Sequence, residues 1–361
     1  MVNYVELIQS SILLWLYLQT AWVFFINFLY FTIPWLIWGA IIIFFVMRFG
    51  IRVPPPNDSA VKKVLGVNPM DIEEKHDFIL SKEEPEENKQ YCMKVVAHRG
   101  GGFDYPENSM SAFRNSYNRG CDAIEFDLAM TKDNIPILFH DVTIDRLTGL
   151  NGKIKDMTWN ELKDYDISTT HPLRPMFNNE SEKIALFEEV LVETLKRSQR
   201  MFIDIKATGN EVVEVVLDAY KRHPQLYEKA VITSFNPITI YMIRRQNPRI
   251  VAGMAWRPQF LTMINYNGNK GPHKPRFRNI FKHILAMIVD GFHDWALGRI
   301  TYYILGLSFI LLQKDVISPD VIREWNERNV RVIAWTVNLP TEKVHFTKNL
   351  KITYLTDTLL S

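Results

Sequence analysis

The amino-acid sequence predicts a (β/α)₈ barrel, of the TIM-barrel class, that follows a hydrophobic N-terminal segment. Short apolar runs alternate with helix-like patterns from Met93 onward, which is typical of parallel strands joined by helices. Polar and charged residues stand directly after several of these runs, where such barrels carry their chemistry. The chain has 361 residues, 47% of them hydrophobic and 23% charged, which is enough for one large core with appendages.

Residues 1–50 are predicted to form a transmembrane anchor. No charged residue and no histidine occurs from Leu7 to Met47, a run roughly twice as long as a helix needs to cross the ~30 Å hydrocarbon layer. Because Pro34 divides the run, two arrangements fit: a helical hairpin that turns at this proline, or an interfacial helix followed by one span over Trp22–Met47. A cleaved signal peptide does not fit, since the run is too long and lacks a basic start.

Residues 51–92 are predicted to be a tether. Three consecutive prolines, Pro54–Pro56, stiffen its start, and the charged run Asp71–Lys89 is typical of a solvated face or a mobile linker. The barrel is therefore expected over residues 93–361.

Eight runs within the barrel region are predicted to be its strands, and a further run, Ile135–Phe139, is predicted to be a hairpin arm. The predicted strands are Val95–Ala97, Ala123–Met130, Met201–Ile205, Ala230–Ser234, Ile250–Ala255, Asp315–Ile317, Val330–Val337 and Lys351–Leu355. The longer predicted helices are Ser109–Arg119, Phe187–Arg197, Glu211–Arg222, Pro237–Arg245, Pro319–Arg328 and Pro340–Thr347.

Residues 257–312, between the fifth and sixth predicted strands, form a hydrophobic insertion. Its longest uncharged run, Ile300–Leu312, is shorter than the ~20 residues that cross a bilayer, and a crossing would place strands of one closed barrel on both sides of the membrane. We therefore predict a pair of amphipathic helices that dock on the bilayer beside the barrel mouth, with Trp295, Tyr302 and Tyr303 at the interface. The alternative is an ordinary helical cover over the barrel side.

The side chains that can carry chemistry stand at or near predicted strand ends. His98 ends the first run, and Glu125 and Asp127 lie two apart on the second strand, so both carboxylates point to one face. A second histidine, His140, follows the hairpin arm. The other candidates are Arg99, Asp204, Lys206, Trp335 and Asp357. Two histidines, an arginine and paired carboxylates suit metal-assisted acid/base chemistry on a phosphate.

Composition excludes several other classes of protein. The formal net charge of +2 is too small to favour nucleic acid. Cys92 and Cys121 are the two cysteines, which excludes a disulfide framework and a cysteine-rich zinc site, and we expect both to be free.

Five motifs occur in the order typical of the glycerophosphodiester phosphodiesterase family, which the sequence resembles over Val95–Asp357. They are HRGG with PEN (His98–Asn108), the Glu-x-Asp pair, the HD dipeptide, the Asp-x-Lys strand and WTVN (Trp335–Asn338). A member of this family is expected to hydrolyse glycerophosphodiesters at a divalent metal ion with two histidines as general acid and base.

The resemblance implies a role for each matching residue. His98 and His140 are the implied acid/base pair, although the sequence does not say which donates the proton. The implied metal ligands are Glu125, Asp127 and Asp204, the last of which is glutamate in many relatives. The implied substrate-binding residues are Arg99 and Lys206 on the phosphate, Glu107 and Asn108 near the metal and glycerol hydroxyls, and Trp335 in the pocket wall.

Some residues and properties stay open at this stage. Carboxylate ligands without cysteine favour Mg²⁺, with Ca²⁺ as the second choice. Asp141 is expected to orient His140, and Asp357 is either a metal-side or a structural carboxylate. The head group and the acyl-chain tolerance of the substrate, which include lysophospholipids, are not encoded in any motif.

Two alternative functions remain. One is a phosphodiesterase like phospholipase C or sphingomyelinase D; the other is a catalytically inactive membrane scaffold, which is disfavoured because no implied ligand or acid/base position is missing. The expected partners are a phospholipid-derived small molecule and membrane lipids, with no nucleic acid and no obligate protein partner.

The sequence gives conflicting signals for membrane topology. Basic residues directly after the anchor, from Arg48 to Lys63, favour a cytosolic barrel. Two glycosylation sequons, Asn57-Asp58-Ser59 and Asn179-Glu180-Ser181, favour the lumenal or extracellular side. With the family resemblance added, we predict an integral membrane glycoprotein whose barrel is lumenal or extracellular.

Overall fold

The computed structural model describes residues 4–72, 91–177, 180–264 and 274–360. The chain divides into two compact units, residues 1–52 and residues 53–361. Most of the charged run Asp71–Lys89, and Asn179 of the second sequon, lie outside the described residues.

The first unit is one long helix, α1 (Tyr4–Phe45), followed by a π-helical turn over Val46–Ile51. Pro34 lies inside α1, so the helical-hairpin alternative is wrong. A proline keeps a helical φ angle and removes one backbone donor, which an apolar helix of this length survives. Among the described residues, this is the one helix long and apolar enough to cross a membrane.

The second unit contains the predicted barrel, which the structure confirms. The eight parallel strands are β1 (Val95–Ala97), β2 (Ala123–Met130), β4 (Arg200–Ile205), β5 (Ala230–Thr233), β6 (Gly253–Trp256), β7 (Phe309–Gln313), β8 (Arg331–Trp335) and β9 (Thr353–Thr356). They form a single sheet in the order β5-β4-β2-β1-β9-β8-β7-β6, and a parallel bridge between Ile232 and Ala252 joins its two edges. The hairpin arm β3 (Pro136–Leu138) pairs antiparallel with β2, as predicted.

Most of the helices in the second unit connect barrel strands and begin at ordinary sequence signals. Ser109 caps one of them through its hydroxyl, and Asn236 and Ser318 each cap a helix whose first residue is proline. The helices are α2 (Asp58–Leu65), α3 (Met110–Asn118), α4 (Asp145–Thr148), α5 (Trp159–Leu162), α6 (Phe187–Lys196), α7 (Asn210–Arg222), α8 (Leu226–Lys229), α9 (Pro237–Gln246), α10 (Ile280–Ala296), α11 (Tyr302–Leu305), α12 (Pro319–Asn326) and α13 (Pro340–Val344).

The sixth barrel strand differs from the prediction. It is β7, Phe309–Gln313, whereas Asp315–Ile317 was expected; residues Lys314–Val316 form a 3₁₀ turn instead. Every residue of β7 is buried. A strand buried on both faces has a continuous apolar sequence, and periodicity alone does not distinguish such a short run from a helix segment.

The predicted pair of docking helices is therefore reduced to one. Within the predicted run Ile300–Leu312, the chain is helical only as far as Leu305, at the end of α11. Leu307 and Ile310, which follow it, are buried. Tyr302 packs edge-to-face on Trp325 of α12, with ring centroids 5.9 Å apart, so it does not lie on an outer surface as predicted.

The predicted tether is partly wrong, because its first half belongs to the barrel unit. Val64 and Leu65 of α2 are buried in the inner core with Ala123 and Phe309, the first residues of their strands. The Val53 N–H also donates to the Ile304 carbonyl over 2.8 Å. The segment from residue 53 to α2 thus covers the amino-terminal end of the barrel, and the carboxyl ends of the strands are left for the polar residues.

Candidate active site

The turn after β1 positions His98 and Arg99. His98–Gly100 form one 3₁₀ turn in which Arg99 has a φ of 52° and Gly100 a φ of 77°, both left-handed. A Cβ at position 100 would lie 2.8 Å from the Ala112 Cβ, so only glycine fits there. The strained arginine backbone is held in place because its N–H donates to Glu125 Oε2 over 2.8 Å.

An acidic trio lies beside this turn. Glu125 and Asp127 alternate on β2 and share a face, and the register of the sheet sets Asp204 of β4 opposite Asp127. All three carboxylates are buried, and one ligand atom of each lies within 4.8 Å of the others. Because buried like charges repel, the trio requires positive charge next to it.

Two side chains supply that charge. Lys206 Nζ lies 2.5 Å from Asp204 Oδ2 and 3.1 Å from Asp127 Oδ1, and Arg99 Nε lies 3.4 Å from Asp127 Oδ2. Burial alone would raise the pKa of Asp127, but its positive neighbours, Lys206 first among them, outweigh burial and lower the pKa. Burial, followed by repulsion from Asp127, raises the pKa of Glu125.

The donor atoms of the trio fit a divalent metal ion. Asp127 Oδ1 is buried and accepts no hydrogen bond, although Lys206 lies within ionic range of it. Three carboxylates with no sulfur or imidazole ligand form a hard oxygen site. A cation held by Glu125, Asp127 and Asp204 would balance the negative charge that remains.

His98 is held by a carboxylate behind it. Its Nδ1 lies 2.6 Å from Asp357 Oδ1, while its Nε2 lies 3.8 Å from Glu125 Oε2. Asp357 in turn exchanges two 2.8 Å hydrogen bonds with Asn338, which donates from Nδ2 and accepts at Oδ1. Of the two roles left open for Asp357, the structure places it against His98 rather than in the acidic trio.

His140 is held in the same way, through a longer chain of charges. Its Nδ1 lies 2.7 Å from Asp141 Oδ1, and Asp141 Oδ2 accepts from Arg146 Nε over 2.6 Å. The terminal nitrogens of Arg146 donate to both oxygens of Glu107, over 2.9 and 2.6 Å, and Arg99 Nη1 donates to the same carboxylate over 3.1 Å. These contacts connect His140 to Arg99, and the bond between Asp141 and His140 is the contact that the predicted role of Asp141 requires.

The two histidines differ in proton affinity. For His98, burial opposes protonation, but the carboxylates of Asp357 and Glu125 outweigh burial and raise the pKa above its usual value. For His140, burial is the largest effect and the pKa is lowered. Both rings have Nδ1 against a carboxylate, so each is left with Nε2 for proton exchange.

Glu107 and Asn108 support the acidic trio in this structure. Asn108 has a φ of 58°; its Nδ2 donates to Asp127 Oδ2 over 2.8 Å and its Oδ1 accepts from the Asp127 N–H over 3.1 Å. Glu107 is occupied by two arginines, Arg99 and Arg146. Their contact with substrate, which the resemblance implied, stays a prediction.

Aromatic side chains form a wall beside Lys206. Trp335 meets Phe235 edge-on, with ring centroids 5.7 Å apart, and Phe235 stacks on Phe260 at 4.6 Å. Lys206 Nζ lies 5.7 Å from the centre of the Phe235 ring. Trp335 therefore lies near Lys206, and its predicted role in the wall of the substrate pocket stays a prediction.

Sequence reasoning did not identify four residues of the site. Thr233, which donates to Asp204 Oδ1 over 2.8 Å, ends β5, and Phe235 follows it, so the strand-end rule would have found both. Asn338 lies within the WTVN motif but was given no role. Arg146 lies in α4 and carries no sequence signal, because its position depends on the path of the chain after β3.

The site brings together two histidines, two cationic side chains and a buried carboxylate cluster that could hold a metal ion, a combination suited to the cleavage of a phosphodiester. Residues 98–357 match the Glycerophosphoryl diester phosphodiesterase family.

Relatives and solved structures agree with this match. The chain is 34% identical to glycerophosphodiester phosphodiesterase 1 of Bos taurus and 33% identical to that of Homo sapiens, each over 74% of this chain and 78% of the relative. The fold is similar to that of an Oleispira antarctica phosphodiesterase in complex with the product sn-glycerol-3-phosphate, with a TM-score of 0.55, 18% identity, and coverage of 73% of this chain and 92% of that one. This chain belongs to the glycerophosphoryl diester phosphodiesterase family.

Proposed function

We propose that this enzyme hydrolyses glycerophosphodiesters by acid/base catalysis from His98 and His140, next to Mg²⁺ held by the acidic trio, at a membrane surface. One observation carries the proposal: both histidines are tied to carboxylates through Nδ1 and flank a buried acidic trio that already holds Arg99 and Lys206. The proposed substrates are glycerophospho-alcohols, among them glycerophosphoinositol, glycerophospho-N-acylethanolamine and lysophospholipids.

The phosphate group would be held by charge. Arg99 offers a planar guanidinium and Lys206 a point charge, and both lie at the rim of the acidic trio. When bound, a divalent ion held by Glu125, Asp127 and Asp204 would supply further positive charge to the phosphate oxygens. These charges stabilise the additional negative charge that develops on the phosphate in the transition state.

The histidines would move the protons. Asp357 and Asp141 hold the Nδ1 atoms, so the Nε2 atom of one ring takes a proton from the nucleophile, which is water or the neighbouring glycerol hydroxyl. As the new P–O bond forms, the P–O bond to the departing alcohol breaks, and Nε2 of the other ring gives that alcohol its proton. With water as nucleophile, the products are a phosphate monoester and an alcohol.

The acid/base roles predict that His98→Ala and His140→Ala each lower kcat on a soluble glycerophospho-alcohol by roughly 100-fold or more. The melting temperature should stay near that of the unsubstituted chain, because both rings lie in the mouth and outside the hydrophobic core. The measurement is release of the alcohol across a panel of head groups, with His345→Ala, an exposed histidine in another part of the chain, as the control. Normal turnover by either site variant would contradict the paired-histidine mechanism.

Arg146 acts through other residues, since it contacts Asp141 and Glu107 rather than the reacting groups. Arg146→Lys removes the bidentate fork but keeps the charge, so His140 and Asp141 lose their alignment. We expect kcat to fall about tenfold with KM nearly unchanged, as is typical when the partner of a functional histidine is lost. A rise in KM at constant kcat would place Arg146 on the substrate instead, and Lys155→Ala, on the exposed surface nearby in the chain, serves as the control.

The anchor and its orientation complete the proposal. α1 is long and apolar enough to hold the enzyme in a membrane. We propose that the barrel faces the lumen or the exterior, because Asn57 is exposed and caps α2 through its Oδ1, which accepts from the Ala60 N–H over 2.8 Å and leaves the amide nitrogen for a glycan.

This orientation predicts a glycosidase-sensitive increase in mass in cells. Ser59→Ala removes the first sequon but keeps the Asn57 cap, so it should abolish that glycan without loss of stability; Ser181→Ala does the same for the second sequon. Digestion of the barrel by protease added outside intact microsomes, with no glycan on either site, would place the barrel in the cytosol.

A further inference from the structure

The helix α10 turns its apolar face outward and a polar residue inward, which is the reverse of a helix that covers a barrel. Its apolar side chains point outward: Phe281 is 79% exposed and Ile288 and Phe292 are each 64% exposed, whereas Asp290 is 5% exposed. The other outward apolar residues are Ile280, Ile284, Leu285, Met287, Val289 and Trp295. A helix that covers a barrel buries its apolar face, whereas α10 leaves its apolar face uncovered by the described residues, which favours an apolar neighbour.

The polar face of α10 is hydrogen-bonded to the barrel unit through Asp290 and Asp294. The Asp290 carboxylate accepts hydrogen bonds from the backbone N–H groups of Leu261 and Thr262, over 2.9 and 2.8 Å, and from the Thr262 hydroxyl over 2.5 Å. Trp256, the last residue of β6, donates its indole N–H to Asp294 Oδ1 over 2.8 Å. These bonds fix which side of the helix faces away from the barrel.

The segment that binds Asp290, Leu261–Thr262, is also next to the mouth of the active site. Phe260, directly before Leu261, stacks on Phe235, and Phe235 lies beside Lys206. One short connection therefore links the phosphate-side lysine to the helix with the outward apolar face.

Three observations favour a lipid bilayer over another protein surface. Exposed basic residues stand at the amino end of the helix, where lipid phosphates would meet them: Lys274, Arg276, Arg278 and Lys282. At 17 residues, with Asp290 and Asp294 in its last two turns, α10 is too short and too polar on one side to span, so it would lie in the interface. Along the chain, the candidate membrane helix ends at Ile51, just before the barrel unit, and the first residue of that unit, Val53, donates its N–H to the Ile304 carbonyl near the end of the same insertion.

We propose that the outer face of α10 docks in the interfacial layer of the bilayer, so that the active site takes phosphodiesters that keep an acyl chain directly from the membrane. The substrate class rests on the proposed function; the docking surface does not. A lipid-held substrate would then reach Arg99 and Lys206 without passing fully into water.

The docking is tested on the full chain in phosphatidylcholine and phosphatidylserine vesicles. In a Cys92→Ser, Cys121→Ser background, a small fluorophore is attached at Ile288→Cys on α10, or at Asn118→Cys on α3 as the control on another barrel helix. Bromine atoms on the lipid acyl chains should quench the first label and not the second, at every ratio of protein to lipid. No quenching at position 288 would overturn the proposal, and a signal change there that disappears on dilution of the protein in lipid would assign the face to a second copy.

Activity gives an independent result. The variant Phe281→Glu with Ile288→Glu should hydrolyse a vesicle-held lysophospholipid about tenfold more slowly than the unsubstituted chain, while its rate on the matching deacylated glycerophosphodiester in water stays the same. Asn118→Glu should change neither rate. An unchanged ratio of the two rates would overturn the substrate proposal. If the unsubstituted chain does not hydrolyse the soluble ester, the proposed function is contradicted. The quenching result decides the docking in either case.

Discussion

Three carboxylates buried within 4.8 Å of one another are the constraint on which the rest of the mouth depends. Such a cluster is unfavourable unless each oxygen has a positive or hydrogen-bonding partner. Neighbouring elements provide several such partners: the turn after β1 donates a backbone N–H to Glu125, and the Asn108 amide donates to the Asp127 carboxylate and accepts from the Asp127 backbone N–H. Lys206, the residue directly after β4, contacts two of the three carboxylates, those of Asp127 and Asp204.

The same principle extends outward to the histidines. Asp357 is paired with Asn338 on one side and His98 on the other, and Arg146 joins the carboxylates of Asp141 and Glu107. Each of these carboxylates around the mouth therefore has a hydrogen-bond partner on both sides. The contacts hold the imidazole rings through Nδ1 and leave their Nε2 atoms for proton exchange. Asp127 Oδ1, which accepts no hydrogen bond, remains available to a ligand, with Lys206 3.1 Å from it and Arg99 3.4 Å from the other oxygen of the same carboxylate.

Prediction from sequence succeeded where a local rule determines geometry. Alternation along a strand placed Glu125 and Asp127 on one face, and the strand-end rule brought Asp204 and Lys206 to the same mouth. It failed where tertiary contacts decide. The short apolar run of β7 cannot be distinguished from a helix segment by its periodicity, and the residues before α2 look like a linker although α2 packs against the barrel core. Arg146 was missed for the same reason, since its partners lie up to 39 positions away in sequence.

Thermal unfolding of the purified full chain in detergent, with chelator and then with increasing Mg²⁺, tests the buried-charge arrangement most directly. A cation that binds only the folded trio stabilises it by about 2.7 kcal/mol at 100 times its Kd, so the melting temperature should rise with Mg²⁺ concentration. Asp127→Asn should remove the dependence on Mg²⁺, while Asp320→Asn, an exposed carboxylate on α12, should keep it. The same melting temperature for the unsubstituted chain in chelator and in saturating Mg²⁺ would contradict a metal site at the trio.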